Sequence, residues 1–290
     1  MAVVLLVDRV QGKIAEGLNK EDIMNDAYPL AMSTDEIDRL RMQSDLFRRN
    51  ADSMLTEVGV QPGWRCLDLC CGIGGITDLL SLHTGPDGEC VGLDVDKTKL
   101  DVASKWAESL GLKNVHFVQG DAFETGLEPQ SFDLVHTRFA LGIVPNGTKI
   151  FDHALGLVRP GGVVFFEECD VDAYSCFPEH PLWNLALETV VSCFHHLGSD
   201  PMLGRKLYTM LHRAGATNIR VRPVRYALRS GEPMTYHLPL TLFAMRDTVV
   251  SLGLMKPEQL DKTVEALMKH LSAPATLSMP FTMVQTAAVI

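Results

Sequence analysis

The stretch Leu67-Asp-Leu-Cys-Cys-Gly-Ile-Gly-Gly-Ile-Thr77 decides how this chain is read. It leaves an apolar strand, Arg65–Leu69, passes through a glycine-bearing turn and enters a helical segment, Gly75–His83. Gly72 and Gly74 have no Cβ, so the backbone turns tightly and a ligand approaches without an intervening side chain. Cys70 and Cys71 suit the same turn as small, reduced side chains. Dinucleotide-binding turns share this outline, but their third glycine is missing here, and Thr77 holds its position. Asp68 argues further against a dinucleotide, because an acid at a strand end repels a pyrophosphate. It suits instead a ligand with an ammonium and a sulfonium group, met directly or through ordered water.

Working outward, short apolar strands alternate with helical stretches from Trp64 to Asp170. That is the pattern of a parallel sheet covered on both faces. Strands are expected at Arg65–Leu69, Glu89–Asp94, Val115–Gln119, Phe132–Thr137 and Gly162–Glu168. Helices are expected at Gly75–His83, Lys97–Leu110 and Lys149–Val158, and the turn Arg159-Pro-Gly-Gly162 stops the last of them. Asp94 ends the second strand, where a carboxylate accepts ribose hydroxyls. Asp121, in Gln119-Gly-Asp-Ala122, is placed to accept a hydrogen bond from an adenine amino group. With Asp68, three acids stand at successive strand ends on the carboxyl edge of the sheet, where ligands of such folds bind.

The flanks read as helical. Ser33 and Glu36 form a capping-box pair, and Ile37, Leu40, Phe47, Met54, Leu55 and Val58 recur at helical spacing. After the core, helices are expected at Pro181–Leu197, Pro201–Ala214, Leu238–Leu254 and Pro257–Leu271, with strands at Asn218–Leu228 and Phe281–Ile290. None of the 13 methionines falls between Leu55 and Pro201. Methionine fills irregular space, so these side chains are either core fillers of the flanking helices or the lining of an adaptable apolar pocket.

Bulk properties narrow the function classes. A net charge of −10 opposes a nucleic-acid partner, and the densest basic group, Arg220, Arg222, Arg225 and Arg229, makes no continuous stripe. No apolar run reaches the ~20 residues that span a bilayer. The opening Met1–Val7 is shorter still and lacks the basic start of a signal peptide. The seven cysteines include no C-x-x-C pair, so neither a metal site nor a disulfide framework is indicated. The expectation is a cytoplasmic protein without membrane or nucleic-acid contacts.

As an ordered set, Asp68 to Gly74, Asp94, Asp121, Phe132-Asp-Leu-Val135 and Arg159-Pro-Gly-Gly162 resemble the class I S-adenosylmethionine-dependent methyltransferases. Cys70 departs from the family, which most often has glycine there. The resemblance implies an α/β, Rossmann-like seven-stranded sheet with its last strand antiparallel, the sixth and seventh strands being Asn218–Leu228 and Phe281–Ile290. It implies S-adenosylmethionine as cofactor, held by Asp68, Cys70, Gly72, Gly74, Asp94, Val95, Asp121, Ala122 and Arg138. A looser likeness to small-molecule methyltransferases of secondary metabolism runs through Tyr28-Pro-Leu30, Arg39-Leu-Arg-Met-Gln43 and Phe166-Glu-Glu-Cys-Asp170. It implies that Tyr28, Arg39 and Gln43 fold over the cofactor. The corresponding division is a helical cap at 1–58, a core at 59–230 with an insertion at 171–200, a helical lid at 231–276 and a final core strand at 277–290.

Methyl transfer is an in-line displacement in which the protein supplies alignment, on the order of 7–11 kcal/mol, and needs no base in every case. Candidates beyond the fourth and fifth strands are Arg138, Glu168, Asp170, His180 and His136, the last also readable as a satisfied core histidine. Of His195 and His196, one is expected to face the interior and the other solvent. No third ligand at metal spacing accompanies them. The expected acceptor is a small, largely apolar molecule methylated on oxygen, nitrogen or carbon, bound under apolar flanks whose exposure favours a homodimer or larger homo-oligomer. The alternatives are a protein of the same fold that keeps the cofactor for structure without methyl transfer, and a nucleotide-dependent oxidoreductase, which Asp68 and Thr77 oppose.

Overall fold

The computed structural model describes residues 34–232 and 234–290; Tyr28, Ser33 and the Met1–Val7 opening lie outside them. The strands, in chain order, are β1 (Arg65–Leu69), β2 (Glu89–Asp94), β3 (Val115–Gln119), β4 (Phe132–Arg138), β5 (Val158–Asp170), β6 (Ser175–Phe177), β7 (Thr217–Val224), β8 (Leu228–Arg229), β9 (Leu277–Met279) and β10 (Thr282–Val289). The helices are α1 (Thr34–Val58), α2 (Thr77–Thr84), α3 (Lys97–Ser109), α4 (Thr148–Leu157), α5 (Trp183–His196), α6 (Leu207–Arg213), α7 (His237–Ala244), α8 (Arg246–Ser251) and α9 (Pro257–Leu271).

Seven strands form one sheet in the order β3-β2-β1-β4-β5-β10-β7. The first five are parallel, and β10 runs antiparallel to β7. This is the seven-stranded, Rossmann-like α/β fold expected from the core motifs. Alternation along the strands sorts side chains between two faces. Cys66, Leu134, Val163, Phe165 and Ala287 meet Ala51, Met54 and Leu55 of α1 and Leu79 and Leu80 of α2. Leu67, Val135, Val164 and Phe166 face the other way, against Ile150, Phe151 and Ala154 of α4 and Leu207 and Leu211 of α6. Fully burying each large side chain contributes about 1.5–3 kcal/mol. Asp96 starts α3 by accepting from the Thr98 and Lys99 amides, at 2.9 and 3.3 Å, which satisfies two otherwise unpaired donors.

The chain divides into two compact units. One is the sheet unit, residues 44–170, 199–224 and 283–290; the other is mainly helical, residues 171–198 and 225–282 with the start of α1. The boundaries read from sequence fell instead at 58, 230 and 276. In the helical unit, β6, β9 and β8 form a separate antiparallel sheet. α9 buries Leu260, Val264, Leu267, Met268 and Leu271, one face at helical spacing, and packs on α7 and α8. Met234, Met245, Met255 and Met268 are all buried there, which makes them interior fillers.

Four flanking elements differ from the sequence reading. The strand expected at Asn218–Leu228 ends at Val224, next to Pro223, which has no amide for the ladder; Leu228–Arg229 pairs in the small sheet instead. The helix expected at Pro201–Ala214 begins as a tight 3-10 turn over Leu203–Lys206, because Gly204 passes so close to β5 that a Cβ would stand 2.7 Å from the Glu168 carbonyl oxygen. Leu238–Leu254 breaks in two at the buried Met245, and Arg246, which opens the second piece, forks onto Asp261 at 2.9 Å. In the 277–290 segment only β10 joins the main sheet, since β9 belongs to the small one. No described helix is long and apolar enough to cross a membrane.

Candidate active site

The turn after β1 carries the geometry that its glycines suggested. Cys70, Gly72 and Gly74 all have left-handed φ, of 60°, 54° and 85°. A non-glycine residue in that region is strained, which accounts for the resembling family's preference for glycine where Cys70 stands. A Cβ added to Gly72 would meet nothing within 4 Å, so the backbone there faces open space. The turn is tied to β2 twice: the Cys71 amide donates to the Leu93 carbonyl at 2.9 Å, and the Gly72 amide donates to Asp94 Oδ2 at 2.8 Å.

Asp94 therefore orients the glycine turn with one oxygen, and accepts from the Asp96 amide at 2.9 Å with the other. Each carboxylate oxygen retains a further lone pair, and the residue is partly exposed. Beside it Val95 presents an apolar surface that is 68% exposed. Gln119 Nε2 donates to the Val95 carbonyl at 3.0 Å, joining the ends of β2 and β3. Asp121 is exposed just beyond β3 and accepts from the Phe123 amide at 2.9 Å; Ala122 beside it is buried.

Asp68, on β1, lies inside the protein. It is buried, with Oδ2 accepting from Thr77 Oγ1 at 2.6 Å and Oδ1 2.8 Å from His136 Nδ1. The residue that replaces the third fingerprint glycine thus supplies a donor for the strand-end acid. His136 Nε2 lies 3.1 Å from Glu167 Oε2, and the same oxygen accepts from Arg138 Nε at 2.7 Å and forms an ion pair with Nη2 at 2.5 Å. Gln285 donates to Glu167 Oε1 at 2.7 Å. Strand register makes this chain possible, since Asp68 is level with His136 and Arg138 is level with Glu167.

A ring nitrogen facing a carboxylate on each side must donate on both, so His136 is held as the imidazolium. Burial opposes that charge, but the bonds to Asp68 and Glu167 outweigh it and raise the His136 pKa above its usual value. Burial likewise pushes Glu167 up, and Arg138, His136 and Gln285 overcome it to hold the acid at about 2. His136, Arg138 and Asp68 were all singled out in the sequence. Glu167 was not, because nothing in Phe166-Glu-Glu-Cys-Asp170 says which of two adjacent glutamates shares a face with His136.

Glu168 lies on the opposite face and is fully buried. Its oxygens accept the amides of Ala140 and Leu141 at 2.9 Å and of Gly142 at 3.1 Å, so it fixes the turn after β4 in place of facing a substrate. Burial raises its pKa to about 7 against the pull of those three amides. Asp170 is clasped by Arg205, with Nε on Oδ2 at 2.5 Å and Nη2 on Oδ1 at 2.7 Å.

In the helical unit, Arg39 Nη1 donates to Gln43 Oε1 at 3.4 Å, one turn apart on α1. Tyr174 shares a short hydrogen bond with His237 Nδ1, and both rings contact Phe281. Burial, with the Arg39 charge, holds His237 down at about 3, so its ring is neutral. This pair was not read from sequence, since the two residues lie far apart in the chain and neither belongs to a motif. His195 and His196 are both exposed, which corrects the expectation that one faces inward. Among the described residues, no three metal-type side chains gather into a site.

A sheet of this order, with a glycine turn after β1 and acids at the ends of β2 and β3, defines a class I, S-adenosylmethionine-dependent methyltransferase. The model of a methyltransferase-domain family matches residues 61–215. The chain belongs to that family. It is 33% identical over 170 residues to a demethylmenaquinone methyltransferase of Lactobacillus johnsonii, covering 52% of this chain and 67% of that one. A Staphylococcus aureus demethylmenaquinone methyltransferase is 30% identical over 183 residues, covering 58% and 74%. Among solved structures, the YcgJ protein of Bacillus subtilis shares the fold with a TM-score of 0.56 at 16% identity, over 83% of this chain and 98% of that one.

Proposed function

We propose that the enzyme methylates a small, largely apolar acceptor of aromatic or quinol type, and that the carboxyl edge of the main sheet holds its cofactor. The observation that carries the cofactor assignment is the ordered row of groups at the ends of β3, β2 and β1. These residues fit S-adenosylmethionine: the backbone at Gly72 is open, Asp94 keeps lone pairs toward solvent and Val95 offers exposed apolar surface beside it. When bound, this cofactor supplies an electrophilic methyl on sulfur. Asp94 accepts the ribose hydroxyls, at roughly 1.5–3 kcal/mol for each hydrogen bond to a charged group. Asp121 accepts from the adenine amino group, with Val95 and Ala122 beside the ring. Gly72 and Gly74 let the methionyl chain lie close to the backbone.

The acceptor class is supported by the demethylmenaquinone methyltransferase relatives and by the apolar helical unit with its Tyr174–His237 pair. An apolar, water-poor setting protects a sulfonium and holds a hydrophobic acceptor. Arg39, Gln43 and Tyr28 belong to the same proposal, as cofactor-covering groups. Seven free cysteines fit a cytoplasmic setting. Phe177 and Leu277, opposite each other on β6 and β9, are 65% and 37% exposed and favour a homo-oligomer that covers them.

The test is methyl transfer from radiolabelled S-adenosylmethionine to a panel of acceptors. A short-chain demethylnaphthoquinol should be labelled and phosphoethanolamine should not. Labelling of only the phosphorylated amine would overturn the apolar acceptor.

A further inference from the structure

Among the described residues, Arg138 buries two guanidinium nitrogens, Nη1 and Nη2, that have no hydrogen-bond partner. Its side chain is 9% exposed; Nε donates to Glu167 Oε2, and Nη2 lies 2.5 Å from the same oxygen as an ion-pair contact without a hydrogen bond. Nη1, on the other side of the fork, has no hydrogen-bond partner. It lies near the glycine turn: a Cβ on Gly75 would stand 3.9 Å from Nη1 and 3.9 Å from Ser44 Oγ. A shielded N–H of a fixed cation is costly to leave unpaired, and its natural complement is an anion.

The strand order says which anion. Along the carboxyl edge the ends of β3, β2 and β1 carry Asp121, Asp94 and the glycine turn, and β4, ending in Arg138, comes next. A ligand laid with its adenine toward Asp121 and its ribose toward Asp94 brings its amino-acid end to that strand. Asp68, the other charged group nearby, is already engaged by Thr77 and His136.

We propose that Arg138 Nη1 binds the carboxylate of the cofactor's amino-acid end, and that Glu167 is the positioning residue that aims it. Glu167 is in turn fixed by His136 and Gln285. The proposal rests on the assignment of the cofactor to this edge, and its test separates the two.

S-Adenosylhomocysteine and its decarboxylated analogue are titrated calorimetrically into the wild-type protein, Arg138→Met and Glu167→Gln. Wild type should prefer the carboxylate-bearing ligand by about tenfold, the scale of one hydrogen bond between charged groups. In Arg138→Met the preference should vanish, with affinity for the decarboxylated analogue unchanged within about twofold. Glu167→Gln should reduce the preference severalfold and leave the analogue's affinity alone, a pattern that general loosening of the fold does not give. The double variant Arg138→Met/Glu167→Gln removes both charges of the pair and should also show no preference. A preference that persists in either variant lacking Arg138 overturns the proposal. Failure of wild type to bind either ligand overturns the cofactor assignment itself.

Discussion

The Asp68 carboxylate and the His136 ring meet at 2.8 Å with both side chains shielded from solvent, and Thr77 closes the other side of the acid. Asp68 is thereby part of the sheet's internal charge balance. Asp68 and Glu167 bear negative charge and His136 and Arg138 positive, so the buried chain is neutral as a whole. Removing one member leaves an uncompensated charge in a region of low dielectric.

His136→Gln should therefore destabilise the protein by about 3–5 kcal/mol, the usual cost of breaking a buried ion pair on one side. Urea unfolding at neutral pH measures this. The wild-type sign is fixed by the raised pKa: the histidine's contribution is full below its usual 6.5 and is lost as the pH rises through the higher folded value. A variant as stable as wild type would show that the ring carries no charge.

Thr77→Gly would restore the third glycine of the dinucleotide pattern. It should confer no nucleotide binding and should cost about 1–3 kcal/mol, because Asp68 Oδ2 loses its donor. Thermal melting together with titration of NAD checks both halves, and a gain in NAD affinity would contradict the account.

Glu168 predicts the opposite trend to an ordinary ion-paired acid. Its folded pKa, about 7, exceeds the usual 4.5, so the folded state holds the proton more tightly than the unfolded state. Its contribution to stability is full below pH 4.5 and declines as the pH rises to about 7. Glu168→Gln should lose this decline, so the stability difference between variant and wild type should shift in the variant's favour across that window. Parallel pH dependences would show that Glu168 stays ionised.

The core was legible in sequence because its strands carry both periodicity and punctuation. Arg65–Leu69, Glu89–Asp94 and Val115–Gln119 match the observed strands end to end, each bounded by turn residues or a helix start. The small sheet was not legible. Strands of two or three residues such as Leu228–Arg229 are too short for any alternation to register. At the site, Gly72, Gly74, Asp94 and Asp121 declare themselves by their place at strand ends. Glu167 becomes visible only when the β4–β5 register puts it level with Arg138, and register between distant strands is not written locally.

The measurement that tests the central claim most directly is calorimetric titration of S-adenosylmethionine into wild type and Asp94→Asn, with thermal melting of both in the absence of ligand. The asparagine keeps an acceptor for the Gly72 amide, gives up the one for the part-buried Asp96 amide, and removes the charge that the ribose hydroxyls are proposed to meet. Wild type should bind, and Asp94→Asn should bind at least about tenfold more weakly while still melting as a folded protein, from the loss of roughly 1.5–3 kcal/mol. Equal affinities would contradict the placement of the cofactor along the carboxyl edge of the sheet.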